Sequence, residues 1–149
     1  MFGLASRTRF VRIETRARNT VTQIWPDADH ARVLSRTIES GPDSIRRFGP
    51  HTLKLLRAAK DTGIAVKSSL SAGYYLCNYL SWRAIEATKM DDGPSLAAFV
   101  HVPLLPRGTE QFRRGTPNRV TFEQLVDAGE AMLMEMASLA RGMARHRAP

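Results

Sequence analysis

Cysteine is almost absent: Cys77 is the only one in 149 residues. No internal disulfide can form, so a secreted, disulfide-stapled scaffold is excluded and a reducing, cytoplasmic setting is expected. Long apolar runs are equally scarce. The longest candidate, Ser95 to Leu105, falls short of the ~20 residues a spanning helix needs and contains His101 and Pro103, so no membrane crossing is expected. The opening Met-Phe-Gly-Leu-Ala has no basic leader and runs straight into Arg7 and Arg9, the wrong order for a secretory signal; it reads as a strand whose beginning is missing. Acids are also few, 14 against 22 basic residues, leaving a net charge of +8. That balance invites a nucleic-acid reading. Five arginines (Arg7, Arg9, Arg12, Arg16, Arg18) precede Trp25 with Glu14 as the one acid, and Arg141, Arg145 and Arg147 lie near the other end. Aromatic residues, at 7 %, build no base-stacking motif, and no zinc-finger or helix-turn-helix signature accompanies the charge. A solvated arginine-rich surface is the plainer reading, and no nucleic-acid partner is expected.

What remains is a globular composition. Hydrophobic residues at 43 % and charged residues at 24 % exclude wholesale disorder, and the length suits one domain, 1–149, around one core. Phe10 to Arg18 mixes β-branched residues with partly alternating charge and predicts a half-buried strand with Glu14 in or at the end of it. Asn19 to Pro50 holds Pro26, Gly41, Pro42 and Gly49 and predicts mostly loop, with a short helix near His30 to Thr37. Pro50 opens a helix whose apolar stripe runs through Leu53, Leu56 and Ala59 and which Gly63 stops. Ile64 to Leu70 predicts a strand, and Ser71-Ala72-Gly73 a turn. A helix from Tyr74 to Lys89 follows, with Leu76, Leu80, Arg83, Ala84 and Ala87 along one side. Leu96 to Val102 is an almost unbroken apolar run ending at Pro103, the pattern of a strand covered on both faces. After a polar loop from Arg107 to Arg119, Thr121 and Gln124 form a capping box for a last helix to about Arg145. Leu125, Gly129, Met132, Met136, Leu139 and Met143 line that helix, with the methionines as core filler. Alternating strands and helices predict an α/β sheet covered on both faces.

Two positions carry chemistry. Cys77 falls in the first turn of its helix, facing unpaired backbone N–H groups and the positive end of the helix dipole, both of which favour a thiolate. The same N–H groups can donate to a developing oxyanion. His101 sits at the C-terminal end of the apolar strand, where catalytic groups of open α/β sheets collect. The topology brings thiol and imidazole to the same sheet edge, the minimal pair of a cysteine hydrolase. A carboxylate is still needed to hold the imidazole in its proper tautomer, and Glu14 is the candidate.

The stretch Ser68 to Asn78, the strand Phe99-Val100-His101-Val102-Pro103, and upstream Gly3-Leu4-Ala5 followed by Ile13-Glu14 and Asn19 resemble, in that order and at matching separations, the motifs of the pyroglutamyl peptidase I family, also called pyrrolidone-carboxyl peptidase. The resemblance implies a three-layer α/β/α sandwich with an open mixed sheet. It also implies a cysteine omega-peptidase that removes an N-terminal pyroglutamyl residue from peptides without metal or cofactor. Cys77 would attack the pyroglutamyl carbonyl, His101 would shuttle the proton, Glu14 would orient His101, and Tyr75 and Leu76 would line the lactam pocket. The resemblance further implies a homo-oligomer. Met1 coincides with the middle of a family strand, so the resemblance implies a member truncated at the N-terminus, without the first strand, its covering helix and a Gly-Phe-x-Pro-Phe-type loop that clamps the pyroglutamate ring. An edge left unpaired in this way predicts low stability or self-association of the 149-residue chain. The alternatives are a catalytically impaired or inactive relative acting in binding or assembly, and an arginine-rich nucleic-acid binder.

Overall fold

The computed structural model describes residues 1–105 and 120–147, in the order β1 (Phe2–Ala5), β2 (Val11–Glu14), β3 (Arg16–Arg18), β4 (Ile45–Arg47), α1 (His51–Asp61), β5 (Val66–Ser69), α2 (Leu76–Ala87), β6 (Phe99–Pro103) and α3 (Phe122–Arg147). Four strands form a mixed sheet ordered β1-β6-β2-β5, in which β1 runs parallel to β6, β2 parallel to β5, and β2 antiparallel to β6. The polar loop expected over Arg107 to Arg119 lies outside the described residues.

Strand alternation sorts the side chains into two layers. Val11 and Ile13 of β2, Val66 of β5 and Val100 of β6 pack with Leu55 and Ala59 of α1 and with Ala128 and Met132 of α3 on one face. On the other, Phe99 packs with Trp82 and Ile85 of α2, joined by Ala17 and Phe48. The sandwich therefore has α1 and α3 on one side, the sheet in the middle and α2 on the other, as the resemblance implies. At the sheet edge β1 leaves Phe2 and Leu4 more than half exposed.

Local structure departs from the hydropathy pattern at several points. The run Phe10 to Arg18 is two strands rather than one. At Thr15 both the backbone N–H and the hydroxyl bond Ser69 O, at 2.9 Å each, after which the chain leaves the main sheet and β3 pairs antiparallel with β4. β4 was not expected, because Ile-Arg-Arg carries no strand signature; it is held by Arg46, which donates to Glu39 at 2.5 Å, forms an ion pair with Glu86 at 3.2 Å and lies 4.2 Å over the Trp82 ring. No helix forms at His30 to Thr37. In α1, Leu55 is buried and Leu53 exposed. In α2 the inward face is Asn78, Ser81, Trp82 and Ile85, whereas Leu76 and Leu80 stand about half exposed. Gly63 does end α1, at φ +82°, a conformation that side-chain-bearing residues avoid. The capping box also forms: the Gln124 N–H donates to Thr121 Oγ1 and the Thr121 N–H to Gln124 Oε1.

Candidate active site

The site is assembled on the α2 side of the two interior strands. Glu14 ends β2 and pairs in register with Phe99 of the antiparallel β6, so His101, two residues further on, is its diagonal neighbour on the same face. Diagonal positions are some 7–8 Å apart at Cα, a gap that two long side chains can close. They do: His101 Nδ1 donates to Glu14 Oε1 at 2.7 Å, with Glu14 0 % and His101 3 % exposed. This bond fixes the tautomer and leaves Nε2 as the ring's free working nitrogen. Arg12, on the same face, brings its Nε within 3.8 Å of Glu14 Oε1.

The imidazole is also packed in place. The Phe99 and His101 rings meet edge-on with centroids 5.1 Å apart. On the far side, Gly3 of β1 pairs with His101 in register, and a Cβ there would meet Phe99 ring carbons at 2.9 Å and His101 Cδ2 at 3.2 Å. Only a glycine lets β1 approach the histidine strand this closely.

Cys77, half-buried, is the second residue of α2 and packs against the cluster that holds Phe99, on the face that carries Glu14 and His101. Tyr75 at the start of α2 makes no side-chain cap, so it satisfies none of the N–H groups of the helix's first turn. Burial opposes charge on His101, but the Cys77 thiol and the Glu14 carboxylate together outweigh it, and the imidazole is pushed up to about 9. The three candidate residues act on one another although they lie far apart in the chain.

Tyr75 and Leu76, the expected pocket residues, line a cavity of about 390 Å³ with Trp25, Val33 and Tyr79. The Tyr75 hydroxyl donates to Pro26 O, tying the segment over this cavity to α2. Hydropathy gave no warning of Asn78, a 1 % exposed amide beside Cys77; its signal is its place next to the cysteine. Among the described residues no cluster of His, Cys, Asp and Glu is arranged to hold a metal, and no helix is long and apolar enough to cross a membrane.

The family model for pyroglutamyl peptidase matches residues 1–138. The chain belongs to the pyroglutamyl peptidase family. Pyrrolidone-carboxylate peptidase of Thermococcus litoralis is 30 % identical over 104 residues, which are 70 % of this chain and 47 % of that protein. The Pyrococcus furiosus protein of the same name is 28 % identical over 104 residues, 70 % of this chain and 50 % of its own. The chain thus spans about half the length of these curated relatives. In structure it is similar to pyrrolidone carboxyl peptidase from Thermococcus litoralis, with a TM-score of 0.79 over 95 % of this chain and 66 % of that one at 24 % identity. A mutant pyrrolidone carboxyl peptidase from Pyrococcus furiosus gives 0.77 over 93 % and 68 % at 23 % identity. These likenesses place the fold of the chain among the peptidases of this family.

Proposed function

We propose that the chain is a cysteine peptidase that hydrolyses the N-terminal pyroglutamyl residue from peptides, with Cys77 as nucleophile, His101 as general acid and base, and Glu14 as the group that orients His101. The observation that carries this reading is the buried 2.7 Å bond between His101 Nδ1 and Glu14 Oε1, with the thiol acting on the same ring, in a member of this family.

The chemistry follows from the charge balance. Cys77 Sγ attacks the pyroglutamyl carbonyl carbon as its proton passes to His101 Nε2. The carbonyl oxygen becomes an oxyanion against the open N–H groups at the start of α2, Cys77's own among them. The tetrahedral centre collapses as the scissile C–N bond breaks, and His101 gives its proton to the departing amine. A thioester remains on Cys77. Water, deprotonated by the now neutral His101, attacks it; the C–S bond breaks, pyroglutamate leaves, and the departing sulfur takes the proton back from His101. Glu14 stays ionised throughout and keeps Nδ1 protonated. Tyr75 and Leu76 supply a mostly apolar wall suited to an uncharged lactam.

The test is release of a chromophoric amine from a pyroglutamyl amide. Turnover should disappear in Cys77→Ala and after one equivalent of iodoacetamide. Turnover that survives Cys77→Ala defeats the nucleophile assignment. Absence of turnover in the native chain defeats the peptidase reading and leaves a family relative that binds without cleaving.

A further inference from the structure

Asn78 follows Cys77 directly and is as deeply buried as any core side chain. A buried amide is costly unless it is bonded, and this one makes three bonds, all to backbone outside its own helix. Its Oδ1 accepts the Arg18 N–H at 3.0 Å, and its Nδ2 donates to Arg18 O and Thr20 O, both at 2.8 Å. Arg18 ends β3, four residues beyond Glu14 in the same continuous stretch of chain. One residue from the sulfur and four from the carboxylate, the amide thus joins the two elements whose separation sets the site.

Neighbouring contacts reinforce the joint. The Thr22 N–H bonds Tyr74 O at 2.6 Å, and Arg18 Nη1 donates to the Tyr74 hydroxyl at 2.8 Å. Ser81 Oγ donates to Cys77 O at 2.7 Å, securing the backbone of Cys77 from inside the helix. Of these groups, only the Asn78 amide is both fully desolvated and bonded to two separate residues of the segment leaving β3.

We infer that Asn78 is a positioning residue, setting the distance of the Cys77 sulfur from His101 and Glu14 by fastening the first turn of α2 to the strand that continues from Glu14. Without the amide, α2 is free to shift along the sheet face while its apolar residues stay packed. A displacement of about 1 Å in a reacting group can cost roughly 100-fold in rate. The inference builds on the proposed peptidase chemistry, but its central readouts need no turnover.

The experiment compares native chain, Asn78→Ala, Asn78→Asp and the control Trp82→Phe, which removes the bond to Glu39 from the same helix. The second-order rate of Cys77 alkylation by iodoacetamide is measured from pH 5 to 10, and the His101 imidazole is titrated by NMR, all below each variant's unfolding midpoint. Asn78→Ala is expected to alkylate at least ten times more slowly at neutral pH and to move the His101 titration down from about 9 toward the ordinary 6.5, as the thiol's share of the coupling is lost. Asn78→Asp keeps the acceptor for the Arg18 N–H and should fall between; it carries the test if Asn78→Ala does not fold. Trp82→Phe should lower stability without moving either profile. In a chain that turns over, Asn78→Ala should lower kcat with KM little changed. Profiles that stay native in both Asn78 variants, or that move equally in Trp82→Phe, overturn the inference. A native chain with coupled titrations but no release from a pyroglutamyl amide overturns the peptidase reading and leaves Asn78's role standing.

Discussion

Glu14→Gln offers the sharpest test of the site's electrostatics. The glutamine keeps the size of the side chain and an oxygen that can accept from His101 Nδ1, but it removes the one formal charge buried against the ring. A tenfold change in proton affinity is worth about 1.4 kcal/mol, so raising His101 from 6.5 to about 9 amounts to about 3 kcal/mol of preference for the charged ring. Because the folded-state value lies above the unfolded one, this contribution is fully present below pH 6.5 and is lost as pH rises through about 9. In Glu14→Gln the burial of the ring, which opposes charge, is countered only by Cys77, and the titration should fall toward or below 6.5. Urea unfolding at pH 6, 8 and 10 should show the native chain losing stability progressively from about pH 6.5 to 9, with more than half of the loss already made by pH 8, while Glu14→Gln, weaker at pH 6, shows little further loss. NMR of the His101 Cε1–H gives the titration directly. An ordinary His101 titration in the native chain, or one that Glu14→Gln leaves in place, refutes the reasoning.

Gly3→Ala should place its methyl against the Phe99 ring and His101, costing about 1–3 kcal/mol by overpacking and slowing Cys77 alkylation; an unchanged urea midpoint would show that β1 yields instead. Trp82→Ala removes a fully buried ring, its bond to Glu39 and the surface on which Arg46 stacks, and should cost about 3–5 kcal/mol in chemical denaturation. The exposed apolar edge at Phe2 and Leu4 predicts self-association of the 149-residue chain, seen by sedimentation velocity and reduced by Leu4→Lys; a monodisperse monomer in both proteins would contradict it. The nucleic-acid alternative requires retention on immobilised DNA or RNA that falls steeply with salt, and none is expected even at low ionic strength.

The candidate site was more legible than the fold's details. Cys77 and His101 were marked by position, one in a helix's first turn and one near the end of an apolar strand, and both readings rest on local rules that hold wherever a helix begins or a strand is covered on two faces. The inward face of α2 was not legible. Counting Leu76, Leu80 and Ala84 as the stripe assumes that polar side chains seek water, yet Asn78 and Ser81 are buried because backbone carbonyls and an N–H meet them there. β4 was missed for a related reason: Arg46 becomes a strand residue only once Glu39, Glu86 and Trp82 surround its guanidinium. The break at Thr15 depends on a bond to Ser69, 54 residues away, which no periodicity can report.

By itself the sequence settled the composition class, the alternation of strand and helix, the capping box of α3 and the glycine stop of α1, and it marked Cys77, His101 and Glu14 as the candidates for chemistry. These are matters of backbone conformation and nearest neighbours, which a chain writes locally. Tertiary structure decided that Glu14 lies diagonal to His101 across an antiparallel pair, that Gly3 leaves room for the ring, and that an amide beside the sulfur grips the strand leaving the carboxylate. Register and face are set by which surfaces meet when the core closes, and a one-residue slip in β2 would turn Glu14 to the opposite side of the sheet.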